Sequence, residues 1–341
     1  MVQSICAELA MQASFFASTG ASNEIQSVYL GGGTPSVLQA GELHQIFQAI
    51  HEHFSVATEA EITLEANPND LTVKQLAVFR SVGINRLSIG IQSFHAPHLK
   101  MLNRNHNVTD AFACLDRSRQ AGFEKFSLDL IYGIPAPTHD IWEEDMRLAI
   151  ATGVNHISAY SLTIERDTVF GNWVRKGKMP APDENFQAVQ MEMLMDYLPQ
   201  AGFEQYEISN FAKDAAYSKH NTHYWKKGAY LGIGPSAHSY NGQARQWNIS
   251  NNNVYMQQIA QGILPAEVEL LTPKDHQNEY ILTSLRTKWG CNIQIFANSP
   301  AHLATLDLYR KEDLLIIEND LACLTNKGKL LADSITEKLL F

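Results

Sequence analysis

No stretch of this 341-residue chain reaches the run of about 18 apolar residues that a membrane-spanning helix needs. Basic clusters are also missing, and a net charge of −10 speaks against a nucleic-acid surface. The four cysteines, Cys6, Cys114, Cys291 and Cys323, are scattered, which excludes a disulfide framework and a short-spaced metal motif. The N-terminal stretch MVQSICAELAMQASFF lacks a basic leading region and carries Glu8, so it reads as an amphipathic helix rather than a signal peptide. A cytoplasmic protein with reduced thiols is the expectation. The glycine triplet Gly31–Gly33 is not G-x-G-x-x-G and no G-K-[ST] follows it, so neither dinucleotide nor P-loop phosphate binding is supported.

What is present is enough apolar residue, 45%, against 18% charged, to bury a sizeable core. Four phrases punctuate the first two thirds: SVGIN (81–85), QAGFE (120–124), ATGVN (151–155) and QAGFE (200–204). In each, a helical pattern stops at a glycine, which suits the left-handed position just past a helix end, and a strand-like run begins soon after. The strands so marked are RLSIGIQ, KFSLDLIYGI, HISAYSL and YEISNFA, preceded by SVYL and EITLEA. Helical spacing lies between them, at Leu43, Ile46, Phe47 and Ile50, at Leu76 and Phe79 after a cap at Thr72, and from 184 to 200.

Six strands alternating with helices predict an α/β fold with parallel pairing, a (β/α) barrel or, second, a doubly wound open sheet. After about residue 245 the rhythm stops. Thr272 and Pro273 predict a helix start, running on to Gly290, and LLIIENDLACLT predicts a hairpin around Glu318–Asp320. The expected division is therefore 1–245 for the barrel and 246–341 for a helical, winged-helix-like module with a small hairpin.

In either sheet topology ligands bind at the carboxyl ends of the strands. Those ends offer Gly31-Gly32-Gly33-Thr34, Glu65, Gln92, Asp129 within SLDLIYGIP, Ser161 and Thr163, with Arg104 from the loop LNRNH. Each has an ordinary structural alternative. Tight turns use glycine, Glu65 can cap a helix, Arg104 can be solvated, and Asp129 in an apolar strand needs a partner that a structural arginine would supply. Taken together the set suits a zwitterionic, ribose-bearing ligand. Arg104 can pair with a carboxylate, Glu65 and backbone carbonyls can accept from an ammonium, and Asp129 and Gln92 can bond ribose hydroxyls.

GGGTPS, LEANPNDL, GINRLSIGIQSF, LNRNH and SLDLIYGIP, in that order, closely resemble the oxygen-independent coproporphyrinogen-III oxidases of the radical S-adenosylmethionine (SAM) family. The resemblance covers nearly the whole chain. Within the family, HNTHYW (His220 to Trp225) resembles the marker of the branch that acts as a heme chaperone. The resemblance implies a cytoplasmic SAM- and heme-binding chaperone that serves a heme-accepting protein, with no nucleic acid and with membrane contact only through a recipient. It implies SAM contacts at Gly32, Gly33, Thr34, Glu65, Gln92, Arg104, Asp129 and Thr163, and heme contacts at His220, His223 and Tyr224. Alternatives are coproporphyrinogen III dehydrogenase chemistry, if a cluster segment precedes this chain, and a non-catalytic short form.

The departure is at the start. The family opens with a strand and a C-x3-C-x2-C loop whose thiolates hold a [4Fe–4S] cluster, and no cysteine here has that spacing. Residues 1–16 resemble the helix that follows the cluster loop. The expectation is thus a partial barrel lacking its first strand, favouring a longer parent protein over a natural short form.

Overall fold

A computed structural model describes residues 1–17 and 24–341. Its centre is a seven-stranded sheet, β1 (Glu24–Leu30), β2 (Ser55–Ala66), β3 (Arg86–Gln92), β4 (Lys125–Tyr132), β5 (His156–Ser161), β6 (Glu204–Glu207) and β7 (Asn210–Ala212), in the order β1-β2-β3-β4-β5-β7-β6. β1 through β5 pair in parallel. Each parallel step needs a crossover, supplied by the helices Ala40–His53, Val73–Ser81, Val108–Gln120 and Asp140–Ala151. The last three of these helices, and the later helix Glu184–Gln200, stop where glycine permits the left-handed turn: Gly83, Gly122, Gly153 and Gly202 have φ of 92°, 83°, 74° and 85°. Thr72 caps its helix by accepting from the Gln75 N–H at 3.2 Å. The result is a curled parallel half-barrel whose apolar core lies between sheet and helices, with Leu64, Leu76, Phe79, Leu87, Ile89 and Leu128 fully buried.

One stretch departs from the parallel rhythm. YEISNFA does not form a sixth parallel strand but divides into β6 and β7, with β7 antiparallel to both β5 and β6. The Glu207 carboxylate stitches the turn, accepting from the Ser209 N–H at 3.1 Å and from the Asn210 amide. A side chain that satisfies the turn's backbone lets so short a segment reverse.

Ser218 caps the helix Lys219–Trp225, which lies against β1. Beyond it, β8 (His238–Tyr240), β9 (Ala244–Asn248) and β10 (Ala266–Leu270) form an antiparallel three-stranded sheet that spans residues 245 and 246. Thr272 and Asp275 form a capping box ahead of the helix Pro273–Ser284, which ends before Gly290 because the chain turns there to form bonds such as Thr287 N–H to Ser284 O. A second three-stranded sheet follows, of β11 (Cys291–Asn292), β12 (Leu315–Glu318) and β13 (Leu321–Leu324). The β12–β13 loop puts Asn319 and Asp320 at φ of 50° and 64°, the primed turn that a two-residue hairpin prefers. Around this sheet packs a second apolar cluster including Ile281, Leu285, Phe296, Leu306 and Ile335.

The N-terminal helix, Val2–Met11, is tied to the later part of the chain by one carboxylate. Glu8 is fully buried and accepts from Tyr255 Oη at 2.5 Å, Asn248 Nδ2 at 2.6 Å and the Gly234 N–H at 2.8 Å. Among the described residues no helix is long and apolar enough to cross a membrane.

Candidate functional site

At the carboxyl ends of β1 to β4 the chain makes one open polar cleft. Gly33, Thr34, Glu65, Gln92, Arg104 and Asp129 all line it, beside Asn67, Ser88 and Gly90. These residues are distant in sequence, and parallel pairing aligns their strand ends. Gly32 is at the rim, its N–H donating to Glu65 Oε2 at 3.3 Å. Gly32 and Gly33 have φ of 71° and 103°, a left-handed backbone that turns sharply and that glycine adopts without a Cβ clash.

Glu65 is fixed from below by Tyr29, whose hydroxyl donates to Oε1 at 2.8 Å. Arg104 is oriented by Asn67, with Nη1 to Oδ1 at 2.9 Å, and burial lowers its pKa from the usual guanidinium value. Gln92 ends β3 with φ of 69°, a left-handed conformation rare for a residue with a Cβ, and the β3–β4 register breaks there. Such a conformation costs about 1–2 kcal/mol. It folds the Gln92 amide back over Gly90, where a Cβ would lie 2.7 Å from Nε2. Strain held at a ligand-facing strand end is where functional constraint is commonly found.

Asp129 is ringed by hydroxyls although it keeps some contact with solvent. Ser88 Oγ donates to its two oxygens at 3.0 and 2.8 Å, and Ser127 Oγ reaches Oδ1 at 3.2 Å. Burial nonetheless pushes its pKa up to about 6, and the Glu65 charge adds to the rise while the serine bonds oppose it. Behind it a buried chain continues, from Ser127 Oγ to His156 Nδ1 at 2.8 Å and from His156 Nε2 to Tyr206 Oη at 2.8 Å. Burial drives His156 well below its ordinary pKa, so it is a neutral bridge.

Thr163 lies past the end of β5, exposed, its hydroxyl 3.4 Å from the Ser161 carbonyl, and it is not among the residues lining the cleft. His220 is half-buried, its ring stacked on Tyr29 with centroids 4.7 Å apart and planes at 23°. Its Nδ1 is 3.3 Å from Ser27 Oγ, and burial lowers its pKa, leaving a neutral imidazole. His223 is turned back on its own loop, Nε2 bonding the Ala229 carbonyl at 2.9 Å over Gly228, where a Cβ would fall within 2.0 Å of the ring. Tyr224 is 47% exposed and packs edge-on to Trp225.

Tyr29, Ser88, Asn67 and Gly90 were not among the residues singled out from sequence. A signal for one of them was present: Ser88, like Ser127, is a hydroxyl residue inside a largely apolar strand, and the two turn out to be register partners. Buried hydroxyls need acceptors, and Asp129 is the acceptor.

The set offers two carboxylates, a guanidinium and an amide around one mouth edged by a glycine turn, which is a donor and acceptor pattern for a zwitterion with sugar hydroxyls. It therefore fits SAM. The iron–sulfur cluster that the family resemblance implies is not fitted: among the described residues no group of three or more His, Cys, Asp or Glu is placed to hold a metal.

Residues 17–149 match the family model described as the Radical SAM superfamily. The chain is 35% identical over 317 residues to the heme chaperone HemW of Mycobacterium tuberculosis (strain ATCC 25618 / H37Rv), covering 93% of this chain and 81% of that protein. It is 33% identical over 323 residues to the heme chaperone HemW of Bacillus subtilis (strain 168), covering 92% and 84%. Among solved structures, the coproporphyrinogen III oxidase HemN of Escherichia coli, a radical SAM enzyme, superposes with a TM-score of 0.83 over 99% of this chain and 82% of that one. At 22% identity that likeness is one of fold.

Proposed function

Because the chain belongs to the HemW family of heme chaperones within the radical SAM superfamily, we propose that it holds SAM in the strand-end cleft, binds heme beside the helix Lys219–Trp225, and passes the heme to a recipient protein. The SAM assignment is supported by the donor set. Arg104, oriented by Asn67, is poised for the ligand's carboxylate. Glu65 is poised for its ammonium, and Asp129 and Gln92 for ribose hydroxyls. Bound SAM supplies a sulfonium centre; the roles of this chain's residues are to bind and orient it. No step is assigned to an iron–sulfur cluster, since the residues present do not supply its ligands.

For heme, His220 is the ligand the geometry favours. Burial keeps its imidazole neutral, and a neutral ring nitrogen is what iron coordinates. His223 has its Nε2 committed to the Ala229 carbonyl, and Tyr224 offers a half-exposed ring to flank a porphyrin. The single observation that carries the reading is the adjacency of this helix to the cleft through β1. Titration of hemin into the purified chain should give a shifted Soret band that weakens in His220→Ala and persists in His223→Ala. A spectrum of free hemin in the presence of the unmodified chain would overturn the heme assignment.

A further inference from the structure

Tyr29 stands where the cleft meets the His220 helix. Alternation along β1 puts Ser27, Tyr29 and Gly31 on one face of the sheet. Each does something there. Ser27 Oγ is 3.3 Å from His220 Nδ1, the Tyr29 ring stacks on the His220 ring at 4.7 Å, and the Tyr29 hydroxyl donates to Glu65 Oε1 at 2.8 Å. Glu65 Oε2 accepts from the Gly32 N–H at 3.3 Å, so both carboxylate oxygens are held from the protein side. Gly31 is explained by the same contact. Its φ is not left-handed, so backbone freedom does not require glycine there. A Cβ would lie 2.6 Å from Tyr29 Cε1 and 2.8 Å from Glu65 Oε1, inside the hydrogen bond that joins them. The first glycine of the triplet is the space through which Tyr29 reaches Glu65.

Further along, the His220 helix is itself anchored. The His220 N–H and the Ser218 hydroxyl both donate to Glu61 Oε1 at 3.1 Å, and Glu61 is buried beside Arg86 at 3.8 Å. The ring on Tyr29 is therefore presented by a fixed backbone. Burial, then the Glu65 and Asp129 charges, push the Tyr29 phenol up, so its hydroxyl stays a donor across the physiological range.

We propose that Tyr29 is a positioning residue of the cleft, its hydroxyl aiming the Glu65 carboxylate at the ligand's ammonium and its ring held in place by His220. The inference rests on the SAM reading of the cleft and not on the heme reading. A carboxylate pinned before the ligand arrives binds better than one that must be ordered. A consequence follows for His220: any ligand that draws the imidazole off Tyr29 loosens Glu65, and by reciprocity SAM in the cleft opposes that movement.

Calorimetric titration of SAM into four forms of the chain tests this. Tyr29→Phe keeps the stack and loses the hydroxyl, and should weaken binding about tenfold, the size of one hydrogen bond to a charged group. His220→Ala loses the stack and should weaken it about threefold. His220→Phe keeps an aromatic ring on Tyr29 without a ligating nitrogen and should recover most of the affinity that His220→Ala loses. Tyr29→Phe binding like the unmodified chain, or His220→Phe as weak as His220→Ala, would overturn the inference while leaving the cleft reading intact. Failure of the unmodified chain to bind SAM would remove the cleft reading and this inference together.

Discussion

Asp129 carries the most pH-sensitive prediction at the scale of single residues. Burial holds its pKa up to about 6, so at pH 5 it is mostly protonated and at pH 7 mostly ionised. Ribose hydroxyls that donate to it favour the anion. SAM affinity should therefore rise about tenfold from pH 5 to pH 7 and level off above, because each unit below the pKa takes away most of the competent form. Calorimetry across that range checks it, and Asp129→Asn should flatten the profile; a flat profile in the unmodified chain would mean that Asp129 does not meet the ligand as an anion. Candidate residues were legible at this scale where a strand end carried a charge, as at Glu65 and Asp129, and where a neighbouring loop did, as at Arg104. Tyr29 was not legible, since a tyrosine in an apolar strand reads as core until its hydroxyl is seen to reach Glu65.

At the scale of elements, helix ends and strands followed local rules, and so were readable: Thr72 and Thr272 cap, and Gly83, Gly122, Gly153 and Gly202 terminate. The folding back of YEISNFA into β6 and β7 was not, because Glu207 bonds the Ser209 N–H only once the turn exists. Docking of the N-terminal helix was also hidden. Glu8 finds Tyr255, Asn248 and Gly234 more than two hundred positions away. Glu8→Ala leaves three buried donors without their acceptor and should destabilise the chain by about 3 kcal/mol in denaturant unfolding. Glu8→Gln, which still accepts, should cost less. A Glu8→Ala variant within about 0.5 kcal/mol of the unmodified chain would show that the helix is held by its apolar face alone.

At the scale of the whole molecule, two apolar clusters meet, among the described residues, at one shared side chain. Ile208, in the β6–β7 turn, packs against the half-barrel core and against the cluster around Leu285 and Phe296, and Glu207 forms a β-bridge to Thr287 beside it. We expect the two clusters to melt together, and Ile208→Ser to separate them into two calorimetric transitions; a single unbroken transition in the variant would place the coupling elsewhere, for instance in the Lys288–Glu204 pair at 2.7 Å. The amino-acid sequence by itself determined the strand and helix rhythm, the glycine stops and the charged strand ends, because these are local choices of backbone and solvation. Tertiary structure alone decided which strand ends meet, why Gly31 must lack a side chain, and that His220 rests on the tyrosine that holds Glu65. Those depend on register and close approach between segments far apart in the chain, and no local preference encodes a distance between them.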